Sequence, residues 1–150
     1  KINVLTHKDE IENINQIKTR YRKSHNINTI VLGDSPFSSL DIINALNRNE
    51  VVAMLVDRYG KEGGVEVDFF GKPTYFPLGP VILGKMTNAH IIPAFVVKED
   101  KINYRVIAEN PIEVPLDTTK EMNAYVQQIA KVFEKRIKQY PDQWYNFVPI

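Results

Sequence analysis

The chain has 150 residues, enough for one domain with a real core. Hydrophobic residues make up 43% and charged residues 25%, and the formal net charge of +1 gives no bulk argument for nucleic acid. Cysteine is absent, which excludes disulfides and thiolate chemistry, and three scattered histidines do not make a structural zinc site.

No run reaches the roughly 18–20 apolar residues that span a bilayer. Residues 2–6 are short and β-prone and read as a strand. That pattern begins almost at once after Lys1, so the chain is expected to be a piece of something longer. Asp9 and Glu12 form an Asp-x-x-Glu capping pattern, and Ile11, Ile14, Ile17 and Tyr21 follow at helical spacing, so residues 10–22 are predicted as a helix. Residues 27–32 form a second buried-strand candidate, with Gly33 and Asp34 as its turn. Pro36 allows a helix start, and Leu40, Ile42, Ile43 and Leu46 line its apolar face. Residues 51–56 are apolar throughout, the pattern of a parallel strand covered on both faces.

Gly60, Gly63 and Gly64 then punctuate a loop. Val65, Val67 and Phe69 alternate with Glu66 and Asp68, a half-buried extended segment. Pro77, or the turn at 78–80, opens a short helix through about Met86. Residues 91–97 return to strand, with Pro93 marking a strand start, an edge or a bulge. Residues 103–108 read as its antiparallel neighbour. Thr118 and Glu121 make a second capping box before a helical stripe of Met122, Val126, Ile129, Phe133, Ile137 and Tyr140, which Pro141 stops. The aromatic tail Trp144, Tyr145 and Phe147 needs a surface to pack on. The alternation of strand and helix, followed by an antiparallel addition, predicts a three-layer α/β/α domain with a mixed, mostly parallel sheet.

Ligands of open parallel sheets sit beyond the carboxyl ends of strands. A strand over 51–56 puts Asp57, Arg58 and Tyr59 at that end. The arginine fork matches phosphate or carboxylate oxygens, and Asp57 either orients it or holds a sugar hydroxyl. An ordinary ion pair closing a strand is the alternative. Phe69, Phe70, Tyr75 and Phe76 surround Gly71, Lys72 and Pro73. Those aromatics read either as plain core or as the walls of an apolar groove with Lys72 at its mouth. The Gly63-Gly64 pair matches neither G-x-x-x-x-G-K-[ST] nor G-x-G-x-x-G, which disfavours the common nucleotide enzymes.

The run LVDRYG, then VEVDFFGKPTYFPLGP, then NAHIIPAFVV, then YPDQWYNFVP, resembles the ordered blocks of the bacterial lipid A late acyltransferases. These form a branch of the lysophospholipid and glycerophosphate acyltransferase group. The resemblance covers about residues 1–150 and is strongest over 46–97 and 140–149. It implies a glycerophosphate acyltransferase-like carboxy-terminal half, either a single domain over 1–150 or part of a larger acyltransferase domain. It implies a peripheral or anchored position on the cytoplasmic face of the bacterial inner membrane. It also implies acyl transfer from acyl carrier protein or acyl-CoA to a hydroxyl of a membrane lipid such as a lipid A precursor, with no cofactor. Asp57, Arg58, Tyr59, Phe70, Gly71, Lys72 and Pro73 are then the expected substrate-binding residues.

In that family a histidine in H-x4-[DE] acts as the base on the acceptor hydroxyl. His7 and Glu12 fit the spacing, but Thr6 precedes His7 and the intervening residues lack the usual glycine and aromatic. His25 and His90 have no acid at that spacing. The catalytic base is therefore expected upstream, and this chain alone is expected to be inactive. Missing upstream strands would leave an open sheet edge and a route to self-association. The lysines of the last helix and the aromatic tail offer contacts to a membrane surface, although a solvated face is the simpler account of the lysines. Dispersed lysines and the lack of a reader motif argue against nucleic acid. Two other readings remain: a non-catalytic α/β domain that binds a phosphorylated or acidic ligand through Arg58 and Lys72, and a structural or assembly domain with a hydrophobic groove.

Overall fold

The computed structural model describes residues 1–7, 12–32, 38–57, 63–116 and 121–145. The chain forms two compact units, Lys1–Leu55 and Val56–Ile150.

The first unit runs β1 (Ile2–His7), α1 (Glu12–Ser24), β2 (Ile27–Leu32), α2 (Ser38–Asn47) and β3 (Val51–Ala53). Its three strands are parallel in the order β2-β1-β3. The first crossover runs from central β1 to β2 and the second runs back past β1 to β3, in opposite directions across the sheet, so right-handed connections put α1 and α2 on opposite faces. The register is pinned by polar groups. Asn3, buried at the centre, accepts from Asn28 Nδ2 at 2.9 Å and donates to Glu50 Oε2 at 2.9 Å and to the Val51 carbonyl at 3.2 Å. Arg48 pairs with Glu50 at 3.1 Å. A one-residue slip of β2 or β3 would cost Asn3 the partner on that side, at about 1–3 kcal/mol for the buried group left unsatisfied. Ile30, Ile42 and Ala45 form the apolar core of this unit.

Two expectations change here. The third strand stops at Ala53 instead of Val56, because its pairing with β1 covers only Ile2, Asn3 and Val4. Helix α1 forms where its spacing predicts, yet its apolar stripe of Ile14, Ile17 and Tyr21 is exposed. The capping residues Asp9 and Thr118 lie outside the described residues, as does the Gly33-Asp34 turn.

The second unit contains β4 (Gly64–Phe69), β5 (Lys72–Pro77), α3 (Gly79–Thr87), β6 (Ala94–Lys98), β7 (Tyr104–Ala108) and α4 (Met122–Gln139), then a 3-10 turn at Pro141–Gln143. β4 with β5 and β6 with β7 are antiparallel pairs. The described strands thus form one parallel sheet and two antiparallel pairs, an α/β chain with less parallel pairing than the sequence pattern predicts. Pro93 sits where expected: β6 begins just after it, and an isolated bridge joins Ile91 to Ile112.

The core gathers Val67, Phe69, Phe76, Val81, Val114, Val126, Ile129 and Ala130. Phe69 and Phe76 come from strand positions that face inward, and burying each contributes about 1.5–3 kcal/mol. Rings continue outward from them in tilted or edge contact, from Trp144 to Phe69, Phe76, Phe133 and Phe95, with centroids 5.0–5.9 Å apart. The aromatic tail therefore packs through Trp144 on Phe69, whereas Tyr145 is exposed.

Helices α1, α2 and α3 are each followed by an asparagine in the left-handed region, Asn26 (φ 58), Asn49 (φ 56) and Asn88 (φ 56). Asparagine tolerates that conformation and ends a helix much as glycine does.

Candidate functional site

The hairpin β4–β5 carries four of the expected substrate-binding residues. Phe69 pairs with Lys72, so Phe70 and Gly71 alone make the loop. Both have positive φ, 54 and 79, the sign pattern of a type I′ turn. Gly71 adopts this conformation freely, whereas Phe70 is strained and needs outside support.

Helix α4 supplies that support. The Phe70 N–H donates to Glu134 Oε1 at 2.9 Å. Two turns back along α4, the Gln127 amide bonds both backbone groups of Asp68. Lys131 reaches Asp68 Oδ2 at 3.1 Å and Glu134 Oε1 at 2.7 Å. Lys138 lies 5.6 Å from the Phe70 ring centre, in cation–π range. Asp68 thus turns its N–H and C=O away from β5, and the opposing Pro73 needs no N–H there. Burial pushes the Glu134 carboxyl up, but bonds from Lys131 and the Phe70 N–H outweigh it and hold the group below the usual range. Glu134 and then Asp68 raise the Lys131 ammonium. Glu109 is held low, first by its hydrogen bond from Arg136.

The closing Pro141-Asp142-Gln143-Trp144 segment repeats the device. Gln143 accepts from the Lys98 N–H at 2.7 Å and donates to its carbonyl at 3.0 Å, which holds the end of β6. Trp144 Nε1 and Thr74 Oγ1 are buried without a hydrogen-bond partner among the described residues.

Lys72 lies opposite Phe69, on the β5 face it shares with Thr74 and Phe76. It is exposed and has no carboxylate partner among the described residues. The hairpin therefore presents an uncommitted cation on a braced turn, an arrangement suited to an anionic group. Phe69 and Phe76 belong to the core, while Phe70 lies at the turn and Tyr75 bonds Glu66 at 3.3 Å. Pro73 is exposed beside Lys72.

Asp57 is half-buried, follows β3 after three non-strand residues, and makes no hydrogen bond or ion pair with a described residue. Arg58 and Tyr59 lie outside the described residues. His7 closes β1 and Glu12 opens α1, with their side chains outside the described set. His25 follows α1 and meets the Tyr21 ring, and His90 Nε2 lies 3.6 Å from Glu113. Among the described residues there is no group of acids and histidines that suits a metal, and no helix long and apolar enough to cross a membrane.

The braces from Gln127, Lys131, Glu134 and Gln143 were missed in sequence. Their partners lie 45 to 64 residues away along the chain, and no local pattern marks such pairs.

The signature of the bacterial lipid A biosynthesis acyltransferases matches residues 1–149. A phosphatidylinositol mannoside acyltransferase of Mycobacterium tuberculosis (strain ATCC 25618 / H37Rv) is 30% identical over 132 residues, which are 86% of this chain and 40% of that protein. The protein of the same description from Mycolicibacterium smegmatis (strain ATCC 700084 / mc(2)155) is also 30% identical over 132 residues, 86% of this chain and 41% of the relative. The chain thus spans about two fifths of the length of these relatives. It belongs to the bacterial lipid A biosynthesis acyltransferase family.

Proposed function

We propose that the intact protein moves a fatty acyl chain from an acyl carrier protein or acyl-CoA thioester to a hydroxyl of a membrane glycolipid, as in a lipid A precursor. The observation that carries this reading is the family match over residues 1–149. Relatives described as phosphatidylinositol mannoside acyltransferases support an acceptor that bears both sugar and phosphate. In the reaction the acceptor oxygen attacks the thioester carbon, the C–S bond breaks, an ester C–O bond forms and the thiol leaves. A histidine base takes the hydroxyl proton.

Asp57, Arg58 and Tyr59 are assigned to the headgroup, and Phe70, Gly71, Lys72 and Pro73 to the phosphate and the approach of the chain. The free ammonium of Lys72 on its braced turn supports that assignment. Within these residues no histidine carries the full motif, so the 150-residue chain alone is proposed to be inactive, as the carboxy-terminal part of a larger acyltransferase domain. The parallel β2-β1-β3 sheet supports a place in the mostly parallel, three-layer sheet expected of the intact enzyme. The setting is the cytoplasmic face of the bacterial inner membrane.

The test is acyl transfer by the intact protein, given an acyl thioester and membrane lipid. Arg58→Ala is expected to lower kcat/KM by about 10²-fold, the scale for loss of a charged substrate contact. Absence of transfer above background by the intact wild type would overturn the reading.

A further inference from the structure

Helices α1 and α4 each carry four cations, and the two sets differ in their surroundings. On α4, Lys131 meets Asp68 and Glu134, Lys135 and Arg136 meet Glu109, and Lys138 covers Phe70. These groups are committed to the fold. Helix α1 carries Arg20, Arg22 and Lys23 besides Lys18, and a single acid, Glu12. The side chains of Arg20, Arg22 and Lys23 have no ion-pair or hydrogen-bond partner among the described residues.

The same helix displays apolar side chains. Ile14, Ile17 and Tyr21 are 38%, 69% and 64% exposed. Their i, i+3, i+7 spacing places them in one stripe. The least exposed positions of α1 are instead polar ones, Asn15 and Arg22. Lys18 follows Ile14 by four residues and Arg20 follows Ile17 by three, so the stripe has a cation on each flank. Long basic side chains in that place keep their charge in the headgroup layer while the stripe sinks below it.

We propose that α1 lies in the plane of an anionic lipid surface, with Ile14, Ile17 and Tyr21 as its buried stripe and the flanking cations on lipid phosphates. One occupant must accept apolar side chains and, on both flanks, positive charge. An anionic bilayer surface does both. A second copy of the chain would set the α1 cations against one another. The setting rests on the lipid-acting function proposed above; the surface rests on α1 alone.

The cysteine-free sequence allows the test. An environment-sensitive dye on Tyr21→Cys of the intact protein, with any cysteine outside residues 1–150 replaced, should shift to the blue with vesicles of phosphatidylcholine and phosphatidylglycerol. It should not shift with phosphatidylcholine alone, and high salt should reverse the shift. A shift seen in the 150-residue chain and not in the intact protein would mean that the stripe packs on the rest of the protein, and would overturn the proposal. A dye on Gln128→Cys, exposed on α4, should stay in water. Vesicle binding should fall about fivefold in Arg20→Gln, from the worth of one cation of about 1 kcal/mol at such a surface, and also fall in Ile17→Asn. The circular dichroism of each variant should match the wild type, since Ile17, Arg20, Tyr21 and Gln128 are all exposed.

No blue shift, or binding indifferent to these substitutions, would overturn the proposal. So would a shift that grows with protein concentration without vesicles and strengthens in salt, the signature of self-pairing. Acyl transfer by the intact protein in detergent micelles separates the two claims. Transfer without vesicle binding through α1 removes only this inference, and vesicle binding without transfer removes only the proposed activity.

Discussion

The Gln127 side-chain amide pairs with the backbone of Asp68 as a neighbouring strand would. Its Oε1 accepts from the Asp68 N–H and its Nε2 donates to the Asp68 carbonyl, both at 2.8 Å. Strand edges are sites of unwanted pairing, and this contact fills one with a side chain from a helix.

Removing the amide tests the brace. Gln127→Ala is expected to lower stability by about 1–2 kcal/mol, since two bonds at roughly 1 kcal/mol each are lost and water restores part. Gln127→Glu should cost more, because it sets a second carboxylate against the Asp68 carbonyl and side chain. Urea unfolding should show a lower midpoint at an unchanged slope.

Gly71→Ala separates backbone strain from crowding. A Cβ at Gly71 would meet nothing within 4 Å, yet φ is +79. A loss of about 1–2 kcal/mol is expected from the left-handed conformation alone. If stability were unchanged, the type I′ description of the turn would be wrong.

Acid should act through Glu50. Its hydrogen bond from Arg48, then that from Asn3, lowers the carboxyl from 4.5 to about 2. The folded state therefore holds the proton more weakly than the unfolded chain. This contribution is complete above pH of about 4.5 and is lost as pH falls towards 2. Chemical-shift titration of Glu50 should give the low midpoint, and Arg48→Gln should move it upward.

Lys72→Ala should act on substrate and spare the fold. The side chain is exposed and forms no ion pair among the described residues, so stability should stay within about 0.5 kcal/mol. Acyl transfer by the intact protein should lose about tenfold or more in kcat/KM if the ammonium meets a phosphate.

What was readable in the sequence followed from local periodicity. The alternation of Val65, Val67 and Phe69 identified β4, and both Val67 and Phe69 are buried. Helical spacing found α1 and α4, and Pro93 marked the start of β6. Periodicity does not tell what covers an apolar face. Ile17 has the spacing of a core residue, yet it is exposed. Nor does it fix where pairing ends: β3 stops at Ala53, while the apolar run continues to Val56. The turn was hidden because phenylalanine in the left-handed region carries no sequence signal; its support comes from Glu134, 64 residues later. In the candidate site, the order of blocks pointed to Phe70, Gly71, Lys72 and Pro73, but not to the α4 residues that brace them.

The long reach of these braces sets an order of events during synthesis. Asp68 leaves the ribosome 59 residues ahead of Gln127. At about 5–20 residues per second that is roughly 3–12 s of waiting. During that interval the β4–β5 hairpin has formed neither its core contacts with α4 nor its edge pairing, and Phe70 has no acceptor to hold its strained turn. Among the described braces those of the hairpin wait longest for their partners, and a slowed translation between these codons would prolong its exposure to misfolding.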